Sequence, residues 1–535
     1  MIKSIFALSV TILFLLSCKG KSQQQPVEIT QRDTTITIQN AFNELFLDSA
    51  AINNFIATHS FSETMRDRIS SFYNSRNYQY AWFDSSGLAE NTKAFWSLLQ
   101  RFINETKDSS LHDQWLHTQM TQFLEEDFKV TADNKYIQKT ELELTHQFFD
   151  YAQNAYAGKI DPAELQWFIP RKKINPVELL DSLIKSKGSN IEQWEPVNEQ
   201  YRLLNKELLH LYAVEKKQQW DSIFLPAEKA LVPGDSAEVI RQIKLRLHAI
   251  GGLPEADNSS IYTAEMKDAV SNLQHRFGLK ADGVIGAQTI SILNISVKTL
   301  IEKIIINLER MRWLPNQEKD YVMVNIPEFK LYMFEDGRQV FDMNVVVGKQ
   351  GSGTQIFSDH LKYVVFSPYW NVPKSIVKNE ILPAMNRNPN YLATQNMEIT
   401  GQEEGLPVIR QKPGANNALG RVKFIFPNSY NIYFHDTPAR SLFSRDKRAF
   451  SHGCIRLSDP FKMAQYLLRN DPQWTNEKID SFMTADKEKW VGLKKPLPVL
   501  ITYFTAWIDD NGILHFSDDI YGHDARMAEK LFNKN

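Results

Sequence analysis

Two stretches of the chain hold residues able to carry out acyl transfer together: Tyr433-Phe434-His435-Asp436-Thr437-Pro438 and, after a polar loop, Ser451-His452-Gly453-Cys454-Ile455-Arg456-Leu457. A thiol attacks a carbonyl carbon as its thiolate, so it needs a base within reach. His435 closes a short β-rich run and Cys454 lies on the loop that follows, a spacing that lets a strand end and its neighbouring loop supply the pair. Gly453 allows a tight backbone turn, after which the N–H groups of Gly453 and Cys454 can point at a developing oxyanion. Losing one such donor typically costs about 2.7–4 kcal/mol of transition-state stabilisation.

The chain has 535 residues, more than one hydrophobic core usually organises, so several domains are expected. A formal net charge of −2 removes the electrostatic case for a nucleic-acid partner. Lys3 and an apolar run from Ile5 to Leu16 have the form of an export signal, too short to span a bilayer. Leu15-Leu16-Ser17-Cys18 resembles the lipobox of bacterial lipoproteins, which implies cleavage before Cys18, acylation there, and an exported, membrane-anchored protein; an ordinary signal peptide cut elsewhere is the other reading. The chain has two cysteines, and with Cys18 lipidated Cys454 is left as a free thiol in an oxidising compartment.

Residues 19–40 are polar and read as a tether. From 41 to 225 helix-length segments predominate, such as Glu141 to Ala157, and the aromatics Phe72, Tyr73, Tyr78, Tyr80, Trp82, Phe95 and Trp96 read as core. From 231 to 296 three short helices are expected: Val239, Ile243, Leu247 and Ile250 share one face, Met266, Val270, Leu273 and Phe277 another, and a third piece follows Gly286. Beyond Tyr321 the pattern turns to strands at Tyr321–Ile326, Lys330–Phe334, Val340–Val347 and Tyr363–Phe366, resuming at Val422–Phe426 and Asn431–His435. The intervening 371–420 is rich in Pro and Asn, long for a plain connection, and reads as a lid.

His435 followed by Ser451-His452-Gly453-Cys454-Ile455-Arg456 resembles the signature of the L,D-transpeptidase catalytic domain. Asn371-Val372-Pro373, Glu380-Ile381-Leu382-Pro383, Pro413-Gly414 with Asn417-Ala418-Leu419-Gly420, and the tail from Trp507 to Tyr521 look like the large multi-domain Gram-negative members. Gln274 to Gly286 resembles a stretch of small peptidoglycan-binding domains, with a simple helical spacer as the plainer alternative. The resemblance implies a multi-domain protein: a mostly α N-terminal scaffold (41–225), a three-helix peptidoglycan-binding domain (231–296), a mainly β L,D-transpeptidase catalytic domain (321–501) with an inserted lid, and a C-terminal extension (502–535).

It also implies Cys454 as nucleophile and His435 as base and later acid. Asp436 would orient His435 through its side chain or its backbone carbonyl, and Ser451 and His452 would shape the loop. Arg456 would meet a substrate carboxylate or brace the loop, and Tyr433 and Trp370, with Tyr369, would wall the cleft or pack in the core. Peptidoglycan stem peptides and glycan strands are the implied partners, with no cofactor and no metal: there is no His-Glu-x-x-His motif and, with Cys18 lipidated, no second free Cys to complete a zinc site. An L,D-carboxypeptidase using water shares the first half-reaction. A binding lipoprotein with an inactive catalytic domain is the rival from another class.

Overall fold

The computed structural model describes residues 29–41, 43–107, 109–126, 128, 130–170, 175–189, 199–217, 221–225, 229–315 and 318–532. Cys18, the leader before it and the tether up to residue 28 lie outside them. The chain forms two compact units, one from the described residues of Met1–Trp96, His112–Asp150 and Asn175–Ser189, the other from Ser97–Leu111, Tyr151–Ile174 and Asn190–Asn535. The helical region expected as one body over 41–225 is thus divided between the two.

In the first unit, helix Glu63–Asn74 starts where Ser62 Oγ accepts from the N–H of Met65, and it buries Met65, Ile69, Phe72 and Tyr73, one stripe at helical spacing. Trp82, Phe95 and Phe148 pack beside it, with ring centroids 5.3 Å (Trp82 to Phe95) and 5.1 Å (Phe95 to Phe148) apart, so these aromatics are core. One carboxylate is sealed in with them. Glu141, fully buried, accepts hydrogen bonds from the N–H groups of Ala81 (2.6 Å) and Trp82 (2.9 Å) and from Tyr73 OH (3.0 Å). Burial raises its pKa to about 7 against the opposing pull of these donors. Because the folded pKa lies above the unfolded one, this group's contribution to stability is complete below about pH 4.5 and is lost as pH rises through about 7. Amide exchange of peptides covering Ala81 and Trp82, corrected for intrinsic rates, is expected to show protection falling between pH 5 and 8, by at most about 3 kcal/mol. That decline should be absent from Glu141→Gln.

The second unit contains helices α1 (Val239–Ala249), α2 (Ala264–Arg276) and α3 (Ala287–Leu293), which enclose Ile240, Ile243, Leu247, Met266, Val270, Leu273 and Ile290. Phe277 caps the C-terminus of α2, and Gly278 follows with φ +68°. Helix α4 (Val297–Arg312) leads on to the β domain. Its strands are β1 (Tyr321–Asn325), β2 (Lys330–Glu335), β3 (Arg338–Gly348), β4 (Ile356–Phe366), β5 (Trp370–Asn371), β6 (Met397–Glu403), β7 (Leu406–Gln411), β8 (Val422–Ile425), β9 (Phe434–His435), β10 (Ala449–Ser451), β11 (Ile455–Leu457) and β12 (Lys489–Thr502), followed by a hairpin of β13 (Ala506–Ile508) and β14 (Leu514–Phe516). The order β8-β9-β11-β3-β2-β1-β12-β4 closes on itself, because β4 also pairs with β8.

Strand β9 is shorter than the expected Asn431–His435 for a local reason. The Asn428 carboxamide takes the N–H groups of Tyr430 (3.0 Å) and Ile432 (3.2 Å) and donates to the Ile432 carbonyl (2.7 Å), so those backbone groups are not available to a ladder. The segment expected as a lid is more than a connection: β5, β6, β7 and short helical turns enclose their own core of Val372, Val377, Ile381 and Ile409. The C-terminal segment ends in helix α5 (His523–Phe532) and is fixed to α4 by buried polar contacts. Arg310 pairs with Asp524 at 2.6 Å, and Asn307 exchanges hydrogen bonds with Thr505 at 2.8 and 2.9 Å. Among the described residues no helix is long and apolar enough to cross a membrane.

Candidate active site

The site is built by a parallel pairing of two short strands. Phe434 lies opposite Ile455 and His435 opposite Arg456, and the N–H of Ile455 donates to the Tyr433 carbonyl at 3.2 Å. Side chains alternate across a strand. Phe434 and Ile455 therefore go to the core, both fully buried, while Tyr433, His435, Cys454 and Arg456 share the opposite face. Lys423 of β8, directly opposite His435, flanks the same face and pairs with Glu488 at 3.4 Å.

His435 is buried, and its Nδ1 meets the backbone carbonyl of Asp436 at 2.6 Å. A carbonyl only accepts, so Nδ1 carries the proton and Nε2 presents a lone pair. Burial and the Arg456 charge lower its pKa to about 3, the carbonyl contact opposing, so the ring is neutral at ordinary pH. Cys454 is half-buried, and its Sγ lies 3.6 Å from the Asn431 carbonyl. Burial raises the thiol pKa, while the Tyr433 backbone and hydroxyl and the Arg456 charge favour the thiolate. Among the described residues no direct hydrogen bond joins the Cys454 thiol to the His435 ring, and the lowered imidazole pKa and raised thiol pKa both favour the neutral forms.

The Asp436 side chain faces away from His435. Its Oδ2 accepts from the N–H of Arg421 at 2.8 Å, and its Oδ1 accepts from the N–H of Thr437 at 2.7 Å and pairs with Arg440 at 2.6 Å. Orientation of the base comes from its backbone carbonyl. Gly420 packs against this carboxylate so closely, with φ +62°, that a Cβ there would lie 2.3 Å from Asp436 Cγ. Ser451 Oγ accepts from the N–H of Gly453 at 3.1 Å and donates to the Cys454 carbonyl. That engagement corrects the expectation that Gly453 would be an oxyanion donor: its N–H is used inside the loop. The N–H of Cys454 has no acceptor among the described residues. Gly453 is required for its φ of +117°, since a Cβ would meet nothing closer than 3.9 Å.

His452 is exposed and pairs with Glu380 of the lid at 3.2 Å, linking nucleophile loop and lid. Trp370 lies on β5 against the lid's apolar core, so its placement is that of a packing residue. Arg456 is half-buried on the face it shares with His435, and its buried Nε has no partner among the described residues. Sequence reasoning gave no site role to Glu380 or Tyr521, which it met only within longer segments, and overlooked Arg440 and Thr354. Arg440 carries no motif of its own, and Glu380, Thr354 and Tyr521 are distant in sequence from the loops they contact.

Residues 319–478 match the family model of the L,D-transpeptidase catalytic domain. They form an L,D-transpeptidase domain. Residues 67–208 match a scaffold domain and 236–293 a "Putative peptidoglycan binding domain". A "Putative L,D-transpeptidase" of Haemophilus influenzae is 31% identical over 260 residues, 45% of this chain and 53% of that protein. The chain thus spans about half the length of the curated relative it matches. Among solved structures, an L,D-transpeptidase from Mycobacterium smegmatis is 15% identical, covering 35% of this chain and 60% of the other, with a TM-score of 0.20. The catalytic domain of an Enterococcus faecium L,D-transpeptidase acylated by ertapenem is 12% identical, covering 35% and 99%, with a TM-score of 0.17.

The L,D-transpeptidase domain here makes a specific demand of Asp436. Asp436→Ala is expected to lower thermal stability by roughly 2–4 kcal/mol, by freeing Arg440 and two backbone donors. The 15N shifts of the His435 ring should still report the Nδ1–H form, because the carbonyl that selects it is retained.

Proposed function

We propose that the chain is a peptidoglycan L,D-transpeptidase that works through a Cys454 thioester. The observation that carries this reading is the common face of Cys454 and His435, with Nε2 of a neutral imidazole free to take a proton, inside a domain matched to L,D-transpeptidases. In the first step Nε2 takes the thiol proton as Sγ attacks the carbonyl carbon of residue three of a tetrapeptide stem. The oxyanion is met by the Cys454 N–H; the peptide bond then breaks, and the imidazolium gives its proton to the departing amine of D-Ala. In the second step the side-chain amine of residue three on another stem attacks the thioester, losing its proton to His435 while the thiolate leaves. Arg456, on the face it shares with His435 and Cys454, holds the terminal carboxylate of the donor stem. The scaffold and three-helix domains hold glycan strands near the cleft. Cys18 carries the lipid that anchors the protein in the cell envelope, facing the periplasm.

Purified protein beginning at Ser22, incubated with disaccharide-tetrapeptide, is expected to yield cross-linked dimer and free D-Ala by intact-mass analysis, and a carbapenem is expected to add its mass to Cys454. Cys454→Ala should abolish all three while binding to sacculi persists; cross-linking retained in that variant would overturn the assignment. Tripeptide without dimer would make the enzyme a carboxypeptidase, and unchanged substrate with no adduct would favour a binding lipoprotein. For the anchor, Cys18→Ala in the full-length precursor is expected to move the protein from the membrane to the soluble fraction and to remove radiolabelled palmitate. An unaltered distribution would refute lipidation at that residue.

A further inference from the structure

The C-terminal segment reaches back to the nucleophile through one tyrosine. Tyr521 OH donates to the Gly348 carbonyl at the end of β3 and accepts from the N–H of Thr354 at 3.2 Å. Thr354, almost wholly buried, accepts at its Oγ1 from the N–H of Gly348 (2.9 Å) and donates to the carbonyl of Gly453 (2.8 Å). The Tyr521 ring covers Gly353, where a Cβ would come within 3.2 Å of it, and the N–H of Lys349 donates to the Ser451 carbonyl at 2.9 Å. The loop 348–354 is thereby clamped between Tyr521 and the nucleophile loop. Tyr521 is itself held, its N–H donating to Tyr503 OH (2.9 Å), which donates to Asp519 (2.7 Å). Both tyrosines lie beyond residue 478, where the match to the catalytic-domain model ends.

The carbonyl of Gly453 and the N–H of Cys454 belong to one peptide unit. That unit is planar and trans, so fixing the carbonyl toward Thr354 aims the N–H the opposite way. We propose that Tyr521 is a positioning residue for acyl transfer, holding Thr354 so that the Gly453–Cys454 peptide presents its N–H to the oxyanion. The inference rests on the thioester reading above and adds to it a part of the active site supplied by the C-terminal segment. A donor held by a rigid bond stabilises the transition state without reorganising, whereas one free to swing does so weakly.

The test uses the soluble chain from Ser22, comparing Tyr521→Phe, Thr354→Val and Thr354→Ser, with carbapenem acylation of Cys454 and tetrapeptide turnover as readouts. Tyr521→Phe retains the packed ring, and its melting temperature should stay within a few degrees of the parent. Both Tyr521→Phe and Thr354→Val are expected to slow acylation and kcat about tenfold or more with KM nearly unchanged, below the 10²–10³-fold typical of deleting a donor. Thr354→Ser, which keeps the hydroxyl, should restore the rate. The double variant Tyr521→Phe/Thr354→Val should be no slower than Thr354→Val alone, since the two act through one bond. Additive losses, a change in KM only, or full activity of Tyr521→Phe would overturn the proposal. A parent protein that is neither acylated nor active would instead overturn the thioester reading, so the two failures are distinguishable.

Discussion

Two adjacent residue pairs in parallel register, Phe434 with Ile455 and His435 with Arg456, bring His435 and Cys454 onto one face. Since side chains alternate, a slip of one residue in either strand would turn its reactive group into the core and its core residue into the cleft. The two apolar members, both without exposed surface, prevent that slip, because they are locked into the interior of the closed ring of strands. The interior of the β domain therefore decides where the chemistry occurs, and the polar residues of the cleft occupy positions left to them by packing.

Burial also sets the resting charge state. An imidazole whose pKa is pushed to about 3 and a thiol pushed upward do not exchange a proton before substrate arrives. The carbonyl of Asp436 selects the ring tautomer, and the carboxylate of the same residue ties together the N–H of Arg421 and the Arg440 guanidinium. One residue thus serves the site twice, through atoms facing different ways. The Arg456 charge acts on the ring from the same face, and Lys423, opposite His435, is balanced by Glu488.

What could be read in the sequence was what depends on local pattern. The strands of the β domain, the three helices between Val239 and Leu293 and the His435/Cys454 pairing follow from alternation, helical spacing and a compact motif. Three features were hidden because their causes are not local. The lid read as a Pro- and Asn-rich connection because its core draws four residues, Val372, Val377, Ile381 and Ile409, from a span too long for a periodic signal. The Gly453 N–H was expected to face the cleft, but a serine two residues earlier captures it. The 41–225 region looked uniform because helical periodicity says nothing about which helices pack together.

Strand β12, residues 489–502, lies between β1 and β4 in the ring although it is the last of the ring's strands to be made. A chain that has emerged only as far as Leu468 already holds the thiol and its base in sequence, yet it lacks the strand that seals the ring and the tyrosine that reaches Thr354. Such late, long-range pairing costs loop-closure entropy and is slow to form. A prematurely terminated product would therefore keep its cysteine without the strand that seals the ring and without the tyrosine that reaches Thr354.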